Sequence, residues 1–144
     1  MDNTLINQAI QSVLNSQMAF CKFLSANDTG LTGAHQVGIL VSISARELLF
    51  TERLENENIL KRFVKIRWQN DLVTESAFTY YSSKGELRIT RFGRDFPFLK
   101  PDQTGALFVF TKQSIDDYSG YFLETDEEIN EFLNTFNLSP VGTN

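Results

Sequence analysis

The chain has 144 residues, 42% of them hydrophobic and thirteen of them Phe, which is enough to fill the core of one ordinary domain and excludes an intrinsically disordered segment. Its formal net charge is −5, which argues weakly against a polyanionic partner, and its single cysteine, Cys21, excludes an internal disulfide and a cysteine-rich metal site. No apolar run reaches membrane-spanning length, and the first residues lack the basic and apolar regions of a signal peptide, so the sequence is expected to be intracellular, with no membrane partner.

Taken in order, Thr4 to Leu24 places Leu5, Ile6, Ala9, Ile10, Val13, Leu14, Ala19, Phe20, Phe23 and Leu24 largely at i, i+3, i+4 spacing without Pro or Gly. The spacing predicts an amphipathic helix of about five turns, packed on a sheet and carrying Cys21 as a buried, inert thiol. Ser25 to Gly38, SANDTGLTGAHQVG, is a loop by local signals, with three glycines among Asn, Asp and Thr. Asn27, Asp28, Thr29, Thr32, His35 and Gln36 are short polar side chains there that could reach a base edge or a phosphate, and the glycines let backbone N–H groups approach an anion. A surface loop with internal Asx turns is the competing reading. His35 is the sole histidine, and without nearby Cys or clustered acids it marks no metal site.

Gln36 to Ser42 reads as a strand, and Ser44-Ala45-Arg46-Glu47 as a capping box opening a short helix through Phe50. Thr51 to Asn58 is polar and loop-like. Phe63 to Trp68 alternates as a half-buried strand, Asn70-Asp71 turns, and Leu72 to Tyr81 returns as its partner.

Lys84 to Arg94, KGELRITRFGR, is the exception to the acidic balance. Four cations (Lys84, Arg88, Arg91, Arg94) stand against Glu86, a local charge of +3. On a strand, Glu86, Arg88 and Thr90 project from one face. Arginine can donate twice to guanine O6 and N7, and a carboxylate can accept from cytosine N4, so the pair suits a C·G base pair. A solvated edge strand protected by its charges fits the same composition.

Beyond it, Asp95 to Asp102 is a loop fixed by Pro97 and Pro101. Gly105 to Thr111 reads as a strand buried on both faces, and Tyr118 to Glu124 as another. Thr125 caps a helix whose first turn is Asp126-Glu127-Glu128, with Ile129, Phe132, Leu133 and Phe136 on its core face. From Ile115 to Glu131 there are seven acids and no base, so the acidic pole is separate from the basic stretch. Residues 1–138 form one domain, and 139–144 read as the start of a linker. Six or seven short strands on hairpin-length turns, with a helix at each end, predict an α+β fold whose mostly antiparallel sheet curls into a barrel or half-barrel.

Catalysis finds no support. There is no glycine-rich phosphate loop followed by Lys, no Gly-x-Ser-x-Gly, and Pro101-Asp102 has no Glu-x-Lys behind it. No catalytic residue, metal ligand or cofactor is expected. A sequence-specific duplex-DNA-binding module and a protein-interaction domain whose basic comb docks an acidic partner remain the two readings.

The blocks SANDTGLTGAHQVG, LRITRFGR and the TGAL at Thr104 to Leu107 closely resemble the N-terminal DNA-binding effector domain of EcoRII-type restriction endonucleases. The resemblance covers most of the chain and is strongest in those blocks. It implies a B3-like DNA-binding pseudobarrel, a fold shared with plant transcription factors, whose two arms grip the major groove. It further implies a CCWGG site (W being A or T), a prokaryotic cytoplasmic setting, a monomeric isolated domain and a separate, covalently linked nuclease domain. The family's loop histidine falls on His35, its base-reading acid and arginine on Glu86 and Arg88, and a basic residue two before the acid on Lys84. Asn27, Asp28 and Thr32 join these as expected base readers. Lys22, Thr29, Gln36, Thr90, Arg91 and Arg94 are expected on the DNA backbone. Three family positions differ: Ser82 and Leu87 stand where the family has lysines and Leu40 where it has tyrosine, which implies weaker phosphate contacts or ones rebuilt from Lys22 or Arg94.

Overall fold

In the computed structural model, which describes residues 4–30, 38–50, 60–93 and 96–138, the described residues include four α-helices and seven strands. In order they are α1 (Leu5–Leu14), β1 (Met18–Phe23), α2 (Ala26–Thr29), β2 (Ile39–Val41), α3 (Arg46–Leu49), β3 (Leu60–Trp68), β4 (Val73–Tyr81), β5 (Glu86–Thr90), β6 (Leu107–Ser114), β7 (Asp117–Leu123) and α4 (Asp126–Thr135). The linker expected at 139–144, the loop expected at Thr51 to Asn58 and Arg94 lie outside the described residues.

The first helix is half the length its periodicity predicts. Thr4 Oγ1 accepts from the Asn7 N–H to start α1, and Asn15 ends it. The chain then enters β1, where Phe20 and Cys21 pair with Phe110 and Val109 of β6. A strand with apolar residues on both faces yields i, i+3, i+4 matches by accident. The polar triplet Asn15-Ser16-Gln17 was the break between the two elements.

All seven strands form one sheet in the order β1-β6-β7-β3-β4-β5-β2. Every neighbouring pair is antiparallel except β3 and β7, which run parallel from Ile66 beside Tyr118 to Trp68 beside Gly120. The β3–β4 hairpin turns through Asn70 and Asp71 at φ 60° and 61°, residue types that tolerate the left-handed region. The sheet curls into a half-barrel. Its two outermost strands approach across the opening, where Lys22 Nζ of β1 donates to the Leu40 carbonyl of β2 at 2.9 Å.

Inside the curl, Phe108 and Phe110 of β6, Tyr118 and Phe122 of β7, Phe78 of β4 and Trp68 of β3 form an aromatic core. Trp68 stacks on Phe122 at 5.4 Å and meets the edge of Phe96 at 5.0 Å. A Cβ on Gly120 would stand 2.3 Å from the Trp68 ring, so that strand position must be glycine. A second core lies on the outer face of β1, β6 and β7. There Cys21, Leu107, Val109 and Leu123 pack beneath Ile6, Ala9 and Ile10 of α1 and Ile129, Phe132 and Leu133 of α4. This double burial is what the two-faced apolar run of β6 requires.

The short helix α3 forms where expected, with a different start. Ser42 rather than Ser44 is the capping side chain, accepting from the Ser44 N–H, and a turn of 3-10 helix over Ile43–Ala45 precedes α3. The helix is held from inside. Arg62 donates to the Leu49 carbonyl at 3.0 Å and to the Tyr118 hydroxyl at 2.8 Å, and that hydroxyl donates to the Leu48 carbonyl.

Candidate nucleic-acid interface

β5 is a strand because its sequence alternates. Leu87 and Ile89 are fully buried in the inner core, while Glu86, Arg88 and Thr90 stand half-exposed on the outer face. It lies between β4 and β2, with Arg88 opposite Thr79 on one side and Leu40 on the other. Glu86 and Arg88 share a face, as the period of two predicts, and they also touch. Arg88 Nη2 donates to Glu86 Oε1 at 3.1 Å, with 21% and 29% of the respective side chains exposed. A guanidinium has five N–H donors in a planar fork, so this contact leaves donors available. Lys84 is exposed in the β4–β5 turn, where Gly85 takes φ 62°.

The far end of β5 is anchored. Arg91 adopts φ 66°, uncommon for a residue with a side chain, and its carbonyl accepts from Ser76 Oγ at 2.9 Å. Ser76 Oγ lies 2.7 Å from Thr74 Oγ1, which accepts from the Trp68 indole N–H at 2.8 Å. A polar thread therefore runs from the core tryptophan to the last turn of the arm. The Arg91 guanidinium lies over the exposed Phe63 ring at 5.1 Å. Thr90 is partly exposed beside it, its hydroxyl directed at the Ala77 carbonyl.

The SANDTGLTGAHQVG stretch is not wholly loop. Ser25 and Asp28 form a reciprocal capping box for α2, and Gly30 closes that helix at φ 77°. Thr32, His35 and Gln36 lie outside the described residues. Asn27 is exposed. Asp28 and Thr29, expected to face DNA, are 1% and 2% exposed. Asp28 accepts from the Ser25 N–H at 2.8 Å and the Leu40 N–H at 3.0 Å, and pairs with Lys22 at 2.8 Å. Thr29 Oγ1 lies 2.7 Å from Thr104 Oγ1. Asp28, Thr29 and Lys22 thus form a clasp that closes the half-barrel and sets β2 beside Arg88, rather than a polar fringe. The spacing Ser25-x-x-Asp28 was the available signal, because a capping box ties both its side chains to backbone.

The outer face of β3 was read from sequence as an alternating strand but not as part of a site. It places Lys61, Phe63, Lys65 and Arg67 in solvent. Lys61 is in register with Thr79, and Thr79 with Arg88, so one cross-sheet row reads Lys61, Thr79, Arg88, Leu40. Thr79 Oγ1 is buried in this row and has no hydrogen-bond partner among the described residues.

The family model for the N-terminal region of restriction endonuclease EcoRII matches residues 13–129. Among solved structures, the B3 domain of the UbaLAI restriction endonuclease, crystallised with its cognate DNA, is similar over 99% of this chain and 96% of that one, with a TM-score of 0.61 and 20% sequence identity. That likeness establishes the B3-like pseudobarrel fold. No curated protein matches the sequence.

Proposed function

The chain belongs to the family of EcoRII restriction endonuclease N-terminal domains, and from that membership we propose that it is a sequence-specific binder of double-stranded DNA. It reads a CCWGG-type site from the major groove and serves as the effector or targeting part for a linked nuclease domain. The observation that carries this reading is the Glu86–Arg88 pair, joined at 3.1 Å on the arm strand beside the exposed Lys84 turn. A carboxylate among cations would be repelled by phosphate unless it meets a donor. Cytosine N4 is such a donor, and guanine O6 and N7 accept the arginine fork. The mutual contact fixes both side chains before binding, so less rotamer freedom is lost when the groove is entered. The solved B3 domain of the same fold was crystallised with its cognate DNA, which supports DNA as the partner.

The clasp residues Asp28, Thr29 and Lys22 act on this reading by position. They hold β2 beside the arm, while Lys84, Thr90 and Arg91 are left to meet backbone or groove edge. The test is a gel-shift panel of CCWGG and single-substituted duplexes. Arg88→Ala is expected to weaken cognate binding by about 1–3 kcal/mol, and Glu86→Ala to keep non-specific affinity while losing discrimination at one C·G position. Equal binding of every duplex by the unaltered chain would instead favour the acidic-protein docking reading.

A further inference from the structure

We propose that the outer face of β3, with Arg91, is a second duplex-DNA contact surface, a phosphate track that widens the footprint of the arm. The inference rests on the reading that β5 enters a DNA groove. Four observations carry it. Among the described residues, the salt bridges join Lys22, Arg62, Arg67 and Arg88 to acids, while Lys61, Lys65 and Arg91 have no carboxylate partner within 4.0 Å. Three unneutralised cations on one face are unusual in a chain of net charge −5. Glu75 is the acid facing them across the ladder, in register with Lys65 but not bridged to it.

Second, the register sets the spacing. Lys61 and Arg88 occupy one row with Thr79 between them. Two strand spacings put their backbones about 10 Å apart. The major groove is about 12 Å wide, so when Arg88 reads its floor, a cation that far to the side stands over the strand forming the wall. Third, Phe63 is 63% exposed, and its ring carries the Arg91 guanidinium at 5.1 Å. An exposed Phe in mid-strand has no packing purpose here. Holding Arg91 flat on the sheet surface gives it one, because a guanidinium stacked on a ring keeps its fork directed outward. Fourth, the acids of α4 lie over the outer face of β1, β6 and β7, away from this strand. The acids of the β6–β7 turn do reach β3, but Asp116 and Asp117 are taken up by Arg62 and Arg67, which leaves Lys61, Lys65 and Arg91 unpaired among the described residues.

Lys61 lies in the cross-sheet row of Arg88 and Lys65 four residues further along β3, and neither carries base specificity of its own, since an ammonium on a long stem is a point charge for phosphate. The experiment is a salt titration of binding to a cognate duplex and a scrambled duplex, by the unaltered chain and by a Lys61→Ala, Lys65→Ala double variant. Both lysines are exposed, so the variant should fold, and its far-ultraviolet circular dichroism confirms that. The expected result is a salt slope smaller by roughly two units and affinity reduced about tenfold on both duplexes, with their ratio unchanged. An unchanged slope and affinity in the variant, with the unaltered chain still selecting the cognate duplex, would overturn the track and leave the proposed function standing. A changed ratio would overturn it too, by placing a lysine on a base. Failure of the unaltered chain to bind either duplex would overturn both readings.

Discussion

On β6 the outward residues Leu107 and Val109 are fully buried beneath α1 and α4, whereas on β3 the outward residues Lys61, Phe63, Lys65 and Arg67 lie in solvent. The two strands belong to one sheet and share the inner core, where Phe108, Phe110 and Trp68 meet. The covered half reads as apolar on both faces, spends its outer face on stability and has nothing left to offer a partner. In the bare half β3 and β5 alternate, and their outward positions are free to carry charge. The proposed DNA-contacting surface therefore lies where the helices are not. The arm strand β5, its neighbour β2 and the basic face of β3 all lie on the uncovered side.

The largest expected effect comes from the join between the halves. Asp28 is almost fully buried and ties Ser25, Leu40 and Lys22 together across the opening of the half-barrel. Asp28→Ala strands two backbone N–H groups and leaves Lys22, which is 17% exposed, without its counter-charge. A loss of about 3 kcal/mol in unfolding free energy is expected, at the low end for breaking a buried pair because Lys22 keeps some solvent. Urea denaturation measures it. Cognate DNA binding should weaken as well, because β2 no longer buttresses Arg88. Full stability with normal binding would mean that the opening needs no clasp.

A smaller effect separates the halves cleanly. Thr125 Oγ1 accepts from the Glu128 N–H at 3.1 Å at the start of α4, the helix that covers β6 and β7. Thr125→Ala should cost about 1 kcal/mol of stability, as lost N-caps do. Affinity and sequence preference for duplex DNA should not move, since α4 is on the covered half. A variant that loses DNA selectivity while keeping its stability would break the comparison.

How much of this was legible depended on the same division. The bare strands β3 and β5 could be read from sequence because solvent on one face enforces the period of two, as Lys65 and Arg67 between Val64, Ile66 and Trp68 show. The final helix was legible from its Thr125 cap and acidic first turn. β1 was not, because Phe20 and Cys21 both face apolar cores and a single polar position, Lys22, does not establish an alternation. Within the site, the shared face of Glu86 and Arg88 followed from spacing alone. The burial of Asp28 did not follow, because a short acid in a Gly-rich stretch looks the same whether it faces water or caps a four-residue helix. The row joining Lys61 to Arg88 depends on strand register across three elements, which no local pattern encodes.

The last effect, the smallest at pH 8 and 9, probes the covered half through its one thiol. Cys21 sits under α1 and α4 with Val109 and Phe132 close by, and burial pushes its pKa up to about 11 from an ordinary value of 9.0. The folded state therefore resists forming the thiolate that the unfolded chain forms readily. Stability from the neutral buried thiol is fully present well below pH 9 and is lost as pH rises through 9 towards 11, by about 0.4 kcal/mol at pH 9 and about 1.4 kcal/mol at pH 10. Other groups titrate in the same range: burial raises the Tyr118 phenol and lowers the Lys112 ammonium. Both are present equally in Cys21→Ala, so the difference between the unaltered chain and that variant isolates the thiol. Denaturation curves at pH 8, 9 and 10 should show the advantage of the unaltered chain constant at first and then shrinking. Curves that stay parallel through pH 10 would mean that water reaches Cys21, and that the helices cover the outer face of β1 less completely than their packing on β6 and β7 implies.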